Sequence, residues 1–168
     1  FLTTEEIEII KSWEGMVAFS DFDQMNLVDK DGLLAETLNQ IKIKSPERTT
    51  NQNALWLSES LLNVLLTTSN LIKRGEFAHA HQSLSNVQKY LLWLIRITTD
   101  KTQHWESPTK SLEKDIDSTW YSAYETVTSD LQPENIRSSF DNSLKLTEKL
   151  FEQLNIEPKL KEILSRIR

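Results

Sequence analysis

Residues 51–98 read NQNALWLSESLLNVLLTTSNLIKRGEFAHAHQSLSNVQKYLLWLIRIT, and the spacing of apolar side chains in this stretch decides the fold class. In its first half Leu55, Leu62, Leu65, Leu66 and Ile72 recur at helical spacing and cover a broad face. In its second half Phe77, Ala80, Leu84, Val87, Leu91, Leu94 and Thr98 follow at steps of three and four, a seam for packing against a neighbour. Asn51 or Asn53 offers a side-chain oxygen to open the first helix, which is expected to run to about Arg74. Gly75 ends it, because glycine takes the left-handed conformation that closes helices. Two or three residues separate the two helices, so they pack as antiparallel neighbours.

The pattern continues downstream. A polar stretch at 99–109, holding Trp105 and Pro108, interrupts the helices. Short helices are expected at 110–116 and, capped by Asp117 or Ser118, at 119–127. Pro133 suits the first turn of another long helix, whose inner face carries Ile136, Phe140, Leu144, Leu150, Phe151 and Leu154. Pro158 restarts a final helix at 159–167.

Upstream the character changes. Thr4 caps a short helix through Trp13 with Ile7, Ile9 and Ile10 as its apolar positions, and strand-like runs follow at 16–19 and 25–28. Asp29-Lys30-Asp31-Gly32 reads as a turn before a helix face of Leu33, Leu34, Leu38 and Ile41. Ser45-Pro46 breaks that pattern. The expected organisation is therefore a small α/β remnant at 1–44, a linker at 45–52, and a helical domain at 53–168. Mostly α is the fold class, built as an antiparallel up-and-down bundle of four to five helices.

Composition agrees and excludes several classes. Leu and Ile far outnumber Val, and three Gly and four Pro among 168 residues favour long helices over tight turns. With no Cys, disulfides, thiolate metal sites and cysteine nucleophiles are excluded. Nineteen Lys and Arg against 25 Asp and Glu give a net charge of −6, which speaks against a protein whose main task is gripping nucleic acid. No apolar run approaches the ~20 residues that span a bilayer, so a membrane role is not expected and a cytoplasmic location is. The chain opens on Phe1 without the design of a signal peptide, and is expected to be part of something longer.

Metal chemistry finds little support in the spacing. His79 and His81 point to different sides of a helix, and His104 falls in a loop. Reading Asp29, Asp31 and Gly32 as a calcium loop would make Leu27 and Leu38 the first and twelfth ligands, and neither binds calcium. These acids are read as turn and cap residues. Ser20-Asp21-Phe22-Asp23 matches the metal-binding run of polymerase-β-type nucleotidyltransferases, but the Gly-Ser pair that should precede it is missing: Gly15, Gly32 and Gly75 are followed by Met16, Leu33 and Glu76.

The polar residues of the two long helices carry more. Asn63, Asn70 and Arg74 form one polar line, with Lys73 beside it, on a helix otherwise rich in leucine. On the partner helix Gln88, Lys89 and Arg96 recur at seven- and eight-residue steps among Leu, Val and Ile. Polar groups so placed either satisfy one another or face a ligand, and cations among them suit a polyphosphate or another anion. Cations near a helix C-terminus are also favoured by its dipole alone.

Leu71-Ile72-Lys73-Arg74-Gly75-Glu76-Phe77-Ala78, Leu84-Ser85-Asn86-Val87-Gln88-Lys89 and Leu94-Ile95-Arg96 belong to one further pattern, with Asn63, Asn70, Trp105 and Ser111-Leu112-Glu113-Lys114-Asp115-Ile116. Together they resemble the C-terminal half of bacterial lincosamide nucleotidyltransferases. Such enzymes are similar to kanamycin nucleotidyltransferase, in which an N-terminal domain binds Mg and ATP and a helical bundle completes the drug and nucleotide site, often across a homodimer. The resemblance implies AMP transfer from Mg-ATP to a drug hydroxyl in a longer protein, with no cofactor or metal held by this portion and no catalysis by it alone. It implies Lys89 or Lys73 toward the triphosphate, Asn63 and Asn70 as polar contacts, and Trp56 or Trp93 as an apolar wall. Gln88 and Arg96 match the run without an assigned role, and neither Glu59 nor Glu76 is fixed as the base.

Two rival readings come from other classes. Arg74-Gly75-Glu76-Phe77-Ala78-His79 fits the R-x4-H pattern of HEPN ribonucleases, with Arg74 stabilising phosphate charge and His79 acting as acid and base. A non-catalytic helical dimerisation module is the other, favoured if the polar lines pair with each other inside the bundle.

Overall fold

Seven helices and no strand are found among the described residues of the computed structural model, which are Glu6, Ile9, Lys11, Ser12, 29–40 and 47–167. The chain divides into two compact units, Phe1–Glu47 and Arg48–Arg168.

In the first unit the turn after Asp29 leads into α1, Leu33–Gln40. The Asp29 carboxylate accepts the N–H groups of Leu34 at 3.3 Å and Ala35 at 2.7 Å, and Asp31 accepts that of Leu33 at 3.3 Å. Both acids therefore serve the orphan donors of a helix start, as expected. The strand-like runs at 16–19 and 25–28, with Trp13, Ile41 and Ser45-Pro46, lie outside the described residues. So does most of the expected first helix, of which Ile9 is exposed rather than apolar core.

The second unit is a bundle. Its elements are α2 (Asn51–Lys73), α3 (Phe77–Thr98), α4 (Leu112–Asp115), α5 (Ser118–Glu125), α6 (Pro133–Gln153) and α7 (Pro158–Ile167). The helices α2 and α3 form an antiparallel hairpin: Thr68 meets Ser83 near the turn and Trp56 meets Tyr90 farther along. Against this hairpin pack α6 and α7, while α4 and α5 bridge the long connection from α3 to α6. No helix among the described residues is long and apolar enough to cross a membrane.

Thr50, not Asn51 or Asn53, starts α2: its hydroxyl accepts the Asn53 N–H at 3.1 Å, which makes Asn51 the first helical residue. The core stripe of α2 also differs from the expectation. Leu57, Leu61, Leu62 and Leu65 are buried, whereas Leu66 is 49% exposed, because it sits about 100° round the helix from Leu65. Leu84, Val87, Leu91 and Leu94 of α3 and Ile136, Leu144, Leu150 and Phe151 of α6 complete the core. Each such side chain contributes about 1.5–3 kcal/mol on burial.

Three helices close alike. Beyond α2, Gly75 (φ 75°) donates to the Ile72 carbonyl and Glu76 to that of Leu71. Asp100 (φ 54°) with Lys101 repeats the pattern after α3, and Asn155 (φ 51°) with Ile156 after α6. These are Schellman closures, two of them built without glycine.

Candidate functional site

Being one residue before the buried Leu57 turns Trp56 outward, 55% exposed, on the face α2 offers to solvent. Across the hairpin Tyr90 and Trp93, three apart on α3, stand beside it. The Trp56 and Tyr90 rings meet edge-on at 6.4 Å, Tyr90 and Trp93 edge-on at 5.5 Å, and Trp93 stacks on Trp105 at 5.8 Å. Four aromatic rings thus form a continuous row. Two cations flank it: Lys89 Nζ lies 4.8 Å from the Trp93 ring centre, and the Arg48 guanidinium 5.3 Å from that of Trp105. Such pairs are electrostatically favourable, because the ring face is negative.

The loop that delivers Trp105 is fixed from inside the bundle. Trp93 Nε1 donates to the Trp105 carbonyl at 2.9 Å. Arg96, with no exposed surface, donates to the carbonyls of Lys101, Pro108 and Lys110, each at 2.8 Å, and to Asp115 Oδ2 at 3.0 Å. The 99–109 stretch is polar in sequence yet held from α3 by Trp93 and, above all, by Arg96. Its anchor faces the protein rather than a ligand.

The remaining candidates divide by position. Gln88 donates to the Val127 carbonyl at 2.9 Å and secures the connection between α5 and α6. Asn63, Asn70, Lys73 and Arg74 are all exposed on α2, so the polar line lies on the outer surface and not within the bundle. From Trp56 to Lys73 is 17 residues, about 26 Å along the helix. Trp56, Lys89 and Trp93 are therefore brought together, and Lys73 and Arg74 stand far from them. The row's other members, Tyr90, Trp105 and Arg48, were not singled out as binding residues from sequence. Only the three-residue step from Tyr90 to Trp93 announces that they share a face.

Arg74 and His79 are joined through an acid. Arg74 Nε donates to Glu76 Oε1 at 2.6 Å, and His79 Nδ1 lies 3.7 Å from Glu76 Oε2. That hydrogen bond holds the Glu76 carboxyl below its ordinary range and raises the Arg74 guanidinium in return. The other histidines are elsewhere: His81 contacts the Ser129 carbonyl at 3.0 Å and His104 lies 3.8 Å from Asp115. Among the described residues no group of three His, Asp or Glu is placed to hold a metal ion.

The row thus leaves the Trp56 ring open to solvent, with the Lys89 and Arg48 cations on the rings of Trp93 and Trp105. Comparison with curated proteins finds no match. Residues 50–167, which span the whole bundle and its aromatic row, match the family described as lincosamide nucleotidyltransferase-like, C-terminal domain, and the chain belongs to that family.

Proposed function

We propose that the Arg48–Arg168 unit is the substrate-binding half of a nucleotidyltransferase that moves AMP from ATP to a hydroxyl of an antibiotic-like small molecule. The observation that carries the reading is Lys89 beside Trp93, next to the exposed Trp56. In this reading the nucleotide ring packs on the exposed Trp56, and Lys89, beside Trp93, meets its phosphates. A ring stacked on an aromatic side chain gains roughly 1–3 kcal/mol, and an ammonium on phosphate makes a charge-assisted bond. Asn63, two turns from Trp56 on the same face, supplies a polar contact. Asn70, Lys73 and Arg74 lie beyond the reach of the same ligand molecule.

Mg accompanies ATP in chemistry of this class and neutralises the phosphates. Among the described residues no group of three His, Asp or Glu is placed to hold the ion. Ser20-Asp21-Phe22-Asp23 lies outside them.

Calorimetric and tryptophan-fluorescence titration of the 168-residue chain with ATP, and separately with a lincosamide, tests the reading. ATP is expected to bind, and Trp56→Ala and Lys89→Ala are each expected to weaken it about fivefold or more, with unchanged melting temperature. Absence of ATP binding, or ATP binding that both substitutions leave intact, overturns the assignment.

A further inference from the structure

A second recess lies elsewhere on the bundle, between the C-terminal half of α2, the middle of α6 and the end of α7. It is a cleft of about 500 Å³, within the range of small-molecule sites. Its floor is apolar, from Ile72, Phe140, Leu144 and Ile167, and Ser69 Oγ holds its α7 wall by donating to the Ile167 carbonyl at 3.2 Å.

Its rim is basic in a protein of net charge −6. Lys73, Arg137 and Lys145 line the cleft, and among the described residues Asp141 is the one acid that does, which leaves two positive charges in excess among them. Arg137, Asp141 and Lys145 sit four residues apart along α6, so one face of that helix presents all three. None of the three cations takes part in the ion pairs among the described residues. The Arg137 guanidinium is held over the Phe77 ring at 4.9 Å, which fixes its position at the rim without neutralising it. Helix-dipole stabilisation explains Lys73 at the end of α2, but not Arg137 or Lys145 within α6.

We infer that this cleft binds a small organic phosphate with an apolar body, the phosphate among Lys73, Arg137 and Lys145 and the body on Phe140 and Leu144. The charge excess of two matches a phosphate monoester dianion, and the floor demands more than a bare ion. This site is independent of the aromatic row, from which Lys73 is about 26 Å distant along α2.

The test is a ¹H–¹⁵N NMR titration of the 168-residue chain with hexyl phosphate, inorganic phosphate and 1-hexanol in turn, then with ATP. Hexyl phosphate is expected to shift the amides of Lys73, Phe140, Leu144 and Ile167 and to bind about tenfold more tightly than either part alone. Arg137→Gln and Lys145→Gln should each weaken it about threefold or more while leaving the remaining spectrum in place, and Trp56→Ala should leave it unchanged. Equal binding of inorganic phosphate or of hexanol, shifts confined to other helices, or indifference to both α6 substitutions overturns the inference. So does tighter binding of ATP at these same amides, which would make the cleft a nucleotide site. Loss of ATP binding in the Trp56→Ala chain bears only on the aromatic row.

Discussion

Arg96 reaches Asp115 at 3.0 Å from inside the bundle, the guanidinium side chain wholly enclosed and the carboxylate side chain 12% exposed. Three backbone carbonyls of the intervening connection share the same guanidinium. One side chain on α3 thereby orders the loop that carries Trp105 to the aromatic row, and the row's shape depends on a residue with no surface of its own.

Removing it leaves several buried acceptors without a donor. Arg96→Met is expected to cost about 3–5 kcal/mol, because the uncompensated carboxylate and carbonyls weigh more than the lost attraction. Arg96→Lys should recover little, since one ammonium does not reproduce a planar fork bonded in four directions. Urea unfolding measures the cost, and a red shift of tryptophan emission in the folded variant would report release of Trp105. A loss under about 1 kcal/mol would show that the loop is held without this clamp.

The helix closures make a prediction of the opposite sign. Asp100 and Asn155 hold left-handed backbone at φ 54° and 51°, where a glycine carries no steric cost. Asp100→Gly and Asn155→Gly should each be neutral or stabilise by up to about 1 kcal/mol, an unusual outcome for glycine in a helical protein. At Gly75 a Cβ would meet nothing within 4 Å, so Gly75→Ala should cost only its backbone strain, about 1 kcal/mol. Thermal unfolding of the three variants settles the order.

A buried hydroxyl pair links α2 to α3. Thr68 Oγ1 and Ser83 Oγ lie 2.7 Å apart, and Thr68 donates to the Val64 carbonyl at 2.8 Å. Ser83 therefore donates to Thr68. Replacing Thr68 by Val alone leaves the Ser83 hydroxyl enclosed without its acceptor and should cost about 1–3 kcal/mol. Thr68→Val with Ser83→Ala should cost less than the sum, with a coupling of about 0.5–1.5 kcal/mol in a double-mutant cycle. Additive losses would mean that the two hydroxyls do not stabilise each other.

The helical architecture was legible because α2, α3 and α6 repeat leucine-rich positions at the helical period, and Gly75, Pro133 and Pro158 mark boundaries with strong backbone preferences. Thr50 was missed as the cap of α2 because Asn51 and Asn53 carry equally good capping side chains, and only the backbone φ and ψ select one. Leu66 was misplaced because it stands about 140° round the helix from Leu61, at the edge of the buried face, and apolar spacing alone does not say where that face ends. The candidate site was half legible. Trp56, Lys89 and Trp93 were named and do meet around Tyr90, but Trp105 comes from a connection whose path is set by Arg96. Long-range hydrogen bonds to backbone carbonyls leave no periodic trace, since every residue offers a carbonyl.

Acid should loosen the start of α6 in a definite direction. Gln132 caps that helix without a side-chain bond, and Asp130 acts in its place: its Oδ1 accepts from Asn135 Nδ2 at 3.0 Å and from the Gln132 N–H at 2.9 Å. The Asn135 bond first, and the backbone bond next, hold the Asp130 carboxyl below its ordinary range. A carboxyl more acidic in the folded than in the unfolded chain contributes its full stability above the unfolded value and loses it as pH falls through the folded one. Asp130→Asn should thus be less stable than the parent at neutral pH, and the gap should narrow and close as the solution is acidified below the ordinary carboxylate range. Because Asp130 is exposed, salt should shrink the same gap at pH 7. Urea midpoints of both chains along a pH series measure it. A gap that widened on acidification would mean that the carboxylate strains the helix start rather than securing it.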